Sequence, residues 1–498
     1  MRGLLYGTRC QIEALATGVL AIATAIYAGR ALVDVQARTF GFGHGSAFAF
    51  TLIAVIAVAL LRAASFAAFV GVATLAVLNG IPAINLDTYS TPGSFRVSDV
   101  AVVSLIVVLG TRQRVDLASA RTVRLARIWG GAFVMWWLFT FVRSVADGVP
   151  AREAALFGRD FLYFAILVPL FVGAFGRRRE IFTVLSVVAG ATLIYAVAQI
   201  GVTALGLEGV GRVRASLFIH ETFSNEFGGL HRVYAFMGDA VAAALPLGLG
   251  LALIPSRRAH RIFGVTLALL TTLSVLFGFT RATYLGLSFA LLLVTALWIQ
   301  QGSAGSLALR RLSFVALAAV LALVISGAYR SLLYSSHATT TATDRAATAL
   351  ADLQHRRGTV KYRYDLQRQM RKVLGPHWVE GLGFWHPSVH PVPSLPGGSI
   401  RNSDVGVLNS VMTMGVVGTL LLYAPPVAIF FAIVRLRRRR CRSVAAHEWF
   451  FYGTTVWLAY VLISSISLAT LFTVPGLVLT ALLLGCAARL LIEEPRTG

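Results

Sequence analysis

An arginine stands in this sequence where an arginine is costly. In LFGFTRATYLGLSFALLL, Arg281 lies between two apolar runs with almost no loop to hold it. A guanidinium in or near hydrocarbon costs roughly 2.5–3.5 kcal/mol even on a lenient insertion scale, so something must compensate it. Either the side chain snorkels to the headgroups, or it grips an anion at the membrane surface, where its planar, permanently charged fork suits two phosphate oxygens. Arg232 poses the same choice between helix-end anchor and anion ligand. It leads into VYAFMGDAVAAALPLGLGLAL and follows a segment already holding Arg212, Arg214, His220 and His231. Asp239 within that run is expected about two turns inside the helix, paired with a neighbouring base. Asp404 opens SDVGVLNSVMTMGVVG, either as an N-cap carboxylate or as a general base that orients an acceptor. His386 and His390 are further candidate bases, or plain loop histidines. The chain has no HExxH, no CxxC pair, no acidic metal cluster and no GxxxxGK[ST], so ATP-driven transport has no motif to rest on. Cys10, Cys441 and Cys486 match neither a disulfide framework nor a metal site.

The elements that carry these residues follow from composition. The 498 residues are 57% hydrophobic and only 13% charged, with a mean hydropathy of +0.75; soluble domains carry about 25% charged residues. Apolar runs long enough to span a bilayer, about 20 residues each, fall near 11–29, 46–62, 66–84, 99–111, 128–147, 160–176, 181–205, 233–254, 262–280, 282–300, 312–328, 408–434, 448–468 and 470–492. The expected fold is an all-α integral membrane protein, a bundle of about 12–14 transmembrane helices with one large extracytoplasmic loop. Three regions follow: a transmembrane bundle over 1–328, the loop over 329–404, and C-terminal transmembrane helices over 405–498. The first apolar run is long enough to span and lacks a cleavage site, so no cleavable signal peptide is expected.

The net charge of +23 is carried almost wholly by arginine, Lys361 and Lys372 being the only lysines. Its clusters sit in short loops between spans, which reads as a topology signal and anionic-lipid contact rather than nucleic-acid binding. Placing Arg2 and Arg9 in the cytoplasm puts Arg112–Arg127, Arg177–Arg179, Arg257–Arg261, Arg310–Arg311 and the dense Arg435–Arg442 cluster there too, with both termini cytoplasmic. The other face receives Arg96, Arg159, Arg212, Arg214, Arg232 and Arg281, and the long loop with Arg363 and Arg401. Within the loop, KYRYDLQRQMRKVL (361–374) is predicted helical, with Leu366, Met370, Val373 and Leu374 along one face; such a helix lies flat on a bilayer or caps the bundle. The Gly/Pro-rich stretch 381–398 is predicted irregular.

Three places resemble the O-antigen ligase and Wzy-type polysaccharide polymerase superfamily of multi-pass membrane glycosyltransferases. HRVYAFMGDAVAAALPLGLGLAL is similar to an arginine-led entry into a span ending near Leu-Pro-Leu. FTRATYLGLSFALLL is similar to a Ser/Thr-Arg-small-x-x-Leu-Gly signature. VEGLGF followed by SDVGVLNSVMTMGVVGTLLL is similar to a Gly-x-Gly, short-helix, Gly-hydrophobic-hydrophobic-Gly succession after a large outer loop. The likeness covers about 200–435 by motif and the first half by hydropathy alone. It implies metal- and cofactor-independent glycosyl transfer from an undecaprenyl-diphosphate-linked glycan to an acceptor glycan or lipid-linked saccharide. The reaction would take place on the extracytoplasmic face of the cytoplasmic membrane, in lipopolysaccharide or exopolysaccharide biosynthesis. By position it assigns the diphosphate to Arg232 and Arg281, with Arg159, Arg363 and Arg401 as a second tier of anion ligands. Ligases of the family often place a histidine eleven residues before the glycine that is Gly415 here; counting back reaches Asp404. The base would then be a carboxylate, and the departure leans toward a polymerase-like or divergent member.

Two other readings compete. A transporter or flippase for an anionic lipid-linked substrate would also need membrane-embedded arginines, but it predicts broken helices in a repeated pair near the midplane, and no internal repeat is visible. A non-catalytic subunit of an envelope assembly complex would tolerate loss of Arg232 and Arg281.

Overall fold

The computed structural model describes residues 66–78, 97–113, 121–205, 226–227, 230–231, 238–254, 258–277, 281–300, 358–384, 406–439, 447–465, 471 and 473–493. Within them the chain is helical almost throughout: α1 Phe66–Val77, α2 Val97–Thr111, α3 Arg121–Ala146, α4 Ala151–Ala174, α5 Arg178–Leu205, α6 Gly238–Leu253, α7 Arg258–Phe277, α8 Arg281–Gln300, α9 Gly358–Leu374, α10 Gly406–Arg439, α11 Glu448–Ser464 and α12 Val474–Glu493. A two-residue antiparallel pair, β1 Glu226–Phe227 and β2 Leu230–His231, sets Glu226 opposite His231. The expected spans near 11–29, 46–62 and 312–328 lie outside the described residues. Among the described residues five helices are long and apolar enough to cross a membrane: Arg121–Ala146, Ala151–Ala174, Arg178–Val197, Gly406–Arg438 and Val474–Ile492. Shorter apolar helices join them at Phe66–Val77, Ala101–Thr111, Gly238–Leu253 and Gly286–Trp298. The chain is an all-α membrane protein.

Which helix lies where follows from side-chain pattern. α12 is apolar around its whole circumference, and its residues from Leu477 to Leu490 are buried, as befits a central helix. It packs on α4, where the absence of a side chain at Gly485 lets the Phe171 backbone approach. α3 lies at the rim. Its Ile128, Met135, Phe139 and Val142 are exposed along one stripe, while Trp129, Phe133 and Trp137 face inward. α6 lies against α7 and α11, with Gly248 facing Gly264 and Gly453 facing Leu247; small residues let helices meet closely where no hydrophobic effect drives them together.

Described arginines of these clusters, with Arg489, gather at one end. Arg127 donates to Gln113 at 3.2 Å, and Gln113 donates to the Leu170 carbonyl at 3.0 Å. Arg489 donates to the carbonyls of Phe175 and Gly176. Arg437 is ion-paired with Glu448 and lies over the Trp298 ring. These contacts join the ends of α2, α4, α10 and α12 and the starts of α3 and α11. The described part of the long loop meets the opposite end of α3 at Arg143, about 24 Å from Arg127 along the helix axis.

Candidate functional site

The expected single span over 408–434 is interrupted. Gly415 in α10 has φ 68° and ψ −176°, a conformation almost confined to glycine. A break leaves carbonyls before it and N–H groups after it without helical partners. In a continuous helix Val416 and Val417 would donate to Met412 and Thr413. Here Leu382 and Gly383 donate to those two carbonyls at 2.6 and 3.1 Å, and Val416 and Val417 donate to the carbonyls of Trp378 and Val379 at 2.9 and 3.4 Å. Residues 378–383 are therefore a splint that replaces the missing helical bonds one for one. The approach is backbone to backbone: a Cβ on Gly381 would come within 2.9 Å of the Thr413 carbonyl carbon and the Val411 oxygen. The glycines of VEGLGF and of GVVG are thus parts of one contact.

α3 holds the splint. Arg143 donates to the Gly381 carbonyl and lies 3.7 Å from Asp147. Ser144 accepts from the Phe384 N–H at 2.7 Å and donates to the Thr140 carbonyl. Phe384 fills the space left by Gly158 and packs against Trp137, whose indole donates to the Gly158 carbonyl. The sequence had not singled out Arg143 and Ser144; an arginine in the last turn of a span was the available signal. α9 caps this arrangement as one of its two expected roles, with Met370 and Leu374 buried against Met412, Leu382, Leu408 and Val411. Val373, expected on the same face, points outward: after Met370 and Leu374, the third position falls outside the stripe that α10 covers. The nearby His377 imidazole and Glu380 carboxylate meet at 2.9 Å. That hydrogen bond, then the Glu380 backbone and Arg143, holds the Glu380 carboxyl below its ordinary range.

α10 also folds back on itself. Tyr423, eight residues after the break, shares a hydrogen bond with Ser465, and the Ser465 carbonyl accepts from the N–H of Val407, eight residues before it. In one straight helix those two residues would stand about 24 Å apart. The first turn of α10 is therefore sunk to the level of Tyr423. The neighbouring Leu421 carbonyl accepts from Trp129 of α3, and α3 continues for another 17 residues beyond Trp129.

Other helix ends meet at this recess. Gly286, five residues into α8, faces Tyr460 and Ser464 of α11. Asp239 is in the first described turn of α6 and accepts from the Thr473 hydroxyl at 3.1 Å. Thr473 in turn accepts from the Gly476 N–H as the cap of α12. Thus the starts of α8 and α10 converge on the end of α11, and the starts of α6 and α12 meet beside it.

Arg281 is the first residue of α8. Arg363 lies in α9, its side chain outside those described. Arg232, Arg401 and Asp404 lie outside the described residues, as do His386 and His390. Asp404 is two residues before Gly406, the first residue of α10, and Arg232 is six before Gly238, the first of α6. Arg159 is described and buried. It meets Asp99 at 2.8 Å and Asp160 at 3.5 Å, and the Tyr163 hydroxyl donates to Asp99 at 3.2 Å. This cluster ties α2 to α4 on the far side of Trp137 and Phe384. Among the described residues no group of three His, Cys, Asp or Glu side chains is placed to hold a metal ion.

Residues 266–423 match the family model Wzy_C, described as O-antigen ligase. The match takes in α8, α9, the splint and α10 as far as Tyr423. No curated protein matches the chain.

Proposed function

We propose, from the premise that residues 266–423 place this chain in the O-antigen ligase superfamily, that it moves glycan from an undecaprenyl-diphosphate carrier to an acceptor hydroxyl. The reaction takes place at the extracytoplasmic face of the cytoplasmic membrane. The coarser role, ligase- or polymerase-like glycan transfer by a multi-pass membrane enzyme, comes with the family domain. The finer assignment rests on one observation: the start of α8, which is Arg281, and the start of α10, which follows Asp404, both converge on the last turn of α11.

Transfer from a lipid diphosphate needs little covalent help. The diphosphate leaves readily once its growing negative charge is neutralised, and fixed cations supply that neutralisation as preorganised electrostatics. In this reading Arg281 and Arg232 hold the diphosphate. Asp404 takes the proton of the acceptor hydroxyl as it attacks the anomeric carbon, a contribution of about 10²–10⁴-fold. Arg363 and Arg401, both within the 329–404 segment, are a second tier of anion ligands in the same reading. Arg159 is secondary because Asp99 already takes its charge. The transporter alternative also uses outer arginines, and the fold-back of α10 is a broken helix of the sort it requires; a second, repeated break is not found among the described residues.

Arg281→Ala should abolish polymer or ligated glycan while leaving membrane insertion and abundance unchanged; unaltered product removes Arg281 from the mechanism. In a deletion strain, long glycan held on the carrier lipid indicates a ligase, and single repeat units indicate a polymerase. Normal glycan on a carrier trapped at the cytoplasmic face indicates the transporter.

A further inference from the structure

The turn that splints α10 carries side chains the splint does not use. Between Val373 and Val379 three apolar residues face outward: Val373 is 38% exposed, Trp378 55% and Val379 43%. Their apolar neighbours Met370, Leu374 and Phe384 are buried. Flexibility does not account for the exposure, because His377, Trp378, Val379 and Gly381 all have backbone groups engaged in hydrogen bonds.

The depth of the turn is fixed at two points. Trp378 accepts from Val416, two residues after Met414, whose carbonyl accepts from Trp136 of α3. Gly381 is held by Arg143 of α3. The turn therefore lies alongside the stretch of α3 between Trp136 and Arg143, where Phe139 and Val142 are 47% and 63% exposed to the surroundings of the bundle. On α10 the exposed Leu420 and Phe431 continue the same apolar surface away from the turn. Next to it, α9 presents exposed Arg368, Arg371 and Lys372, with Asp365 as the exposed acid. Tryptophan favours the junction of headgroup and hydrocarbon, and cations beside it favour anionic headgroups.

We propose that the α9–turn unit is a bilayer anchor: Trp378 and Val379 enter the leaflet interface, and Arg368, Arg371 and Lys372 bind anionic phospholipid headgroups. An exposed tryptophan can also stack on a sugar ring. Continuity with the lipid-facing residues of α3 and α10 favours the bilayer, since a sugar platform gains nothing from apolar neighbours at membrane depth. Because anchor and splint are one segment, seating the turn in the leaflet steadies the break at Gly415. The anchor is independent of whether the chain transfers glycan.

The test uses the full chain with Cys10, Cys441 and Cys486 replaced by alanine and one cysteine restored by Trp378→Cys, labelled with an environment-sensitive fluorophore. It is reconstituted in vesicles of phosphatidylethanolamine and phosphatidylglycerol. Lipids spin-labelled near the headgroup should quench the label more strongly than aqueous iodide does, and a label at Asp365→Cys should show the reverse. Replacing phosphatidylglycerol with phosphatidylcholine, or adding Arg371→Glu with Lys372→Glu, should weaken the lipid quenching. Val379→Cys gives the same reading should Trp378→Cys not fold. Iodide quenching at 378 equal to that at 365 overturns the anchor, and so does shielding that appears only with added soluble oligosaccharide. Equal lipid quenching in the two vesicle types overturns the headgroup contact.

Discussion

Gly415→Ala tests the architecture at its most constrained point. A side chain at φ 68°, ψ −176° carries backbone strain of about 1–3 kcal/mol. The added methyl would also lie within 2.5 Å of the Glu380 carbonyl carbon and strike the Val379 carbonyl, so the splint must move. Moving it endangers four backbone hydrogen bonds, Leu382 to Met412, Gly383 to Thr413, Val416 to Trp378 and Val417 to Val379, at about 1 kcal/mol each. Strain and bonds together come to about 5–7 kcal/mol, comparable with the whole stability of many soluble domains. The control is Gly131→Ala in α3, where an added Cβ has nothing within 4 Å and relief of glycine's helix penalty gains about 0.5–1 kcal/mol. Thermal unfolding of the purified proteins in detergent, with hydrogen exchange of residues 378–384, compares them. Gly415→Ala should melt well below the control and lose protection across the splint. If it melts with the control and keeps that protection, the one-for-one replacement of helical bonds by the splint is wrong.

Asp99→Asn should destabilise the bundle by about 3–5 kcal/mol by leaving Arg159 under-compensated, and adding Arg159→Gln should recover part of that loss; equal melting of Asp99→Asn and the parent would refute the pairing. Thr473→Val removes both the bond to Asp239 and the cap on Gly476, at about 1–2 kcal/mol, and hydrogen exchange should rise first at the start of α12. Glu380 makes the 375–384 turn pH-dependent. Its carboxyl lies below its ordinary range because His377 donates to it, so the stabilisation is fully present above the ordinary carboxylate range and fades as pH falls through the depressed value. Protection factors in that turn, taken against the intrinsic exchange rate at each pH, should fall on acidification and lose this pH dependence in Glu380→Gln; an unchanged profile in the variant would exclude Glu380 as the titrating group.

Much of this protein is legible from one dimension because a bilayer imposes a simple rule. Hydrocarbon excludes charge and demands internally bonded backbone, so apolar runs are helices and arginines mark their ends. The runs near 128–147, 160–176 and 470–492 accordingly appear as α3, α4 and α12. Arg281 stands out for the same reason, because its setting makes it costly; the helix it opens packs on α11, which also meets the start of α10.

What the sequence cannot display is any pairing decided by three-dimensional fit. Its reading of 408–434 as one span was reasonable, since GVLNSVMTMGVVGTLLL carries no charge and a glycine in a helix usually remains helical. Gly415 breaks the helix only because 378–383, more than thirty residues earlier, supplies partners for the freed backbone groups. That Asp239 meets the Thr473 hydroxyl and Arg159 meets Asp99 could not be read from spacing, because partner choice depends on which helix faces which. Composition alone marks which segments are apolar and helical among the described residues, as that is a local response to solvent. The folded chain decided where a helix breaks and which buried charge meets which partner, because backbone groups and ions must be satisfied by whatever neighbour packing delivers.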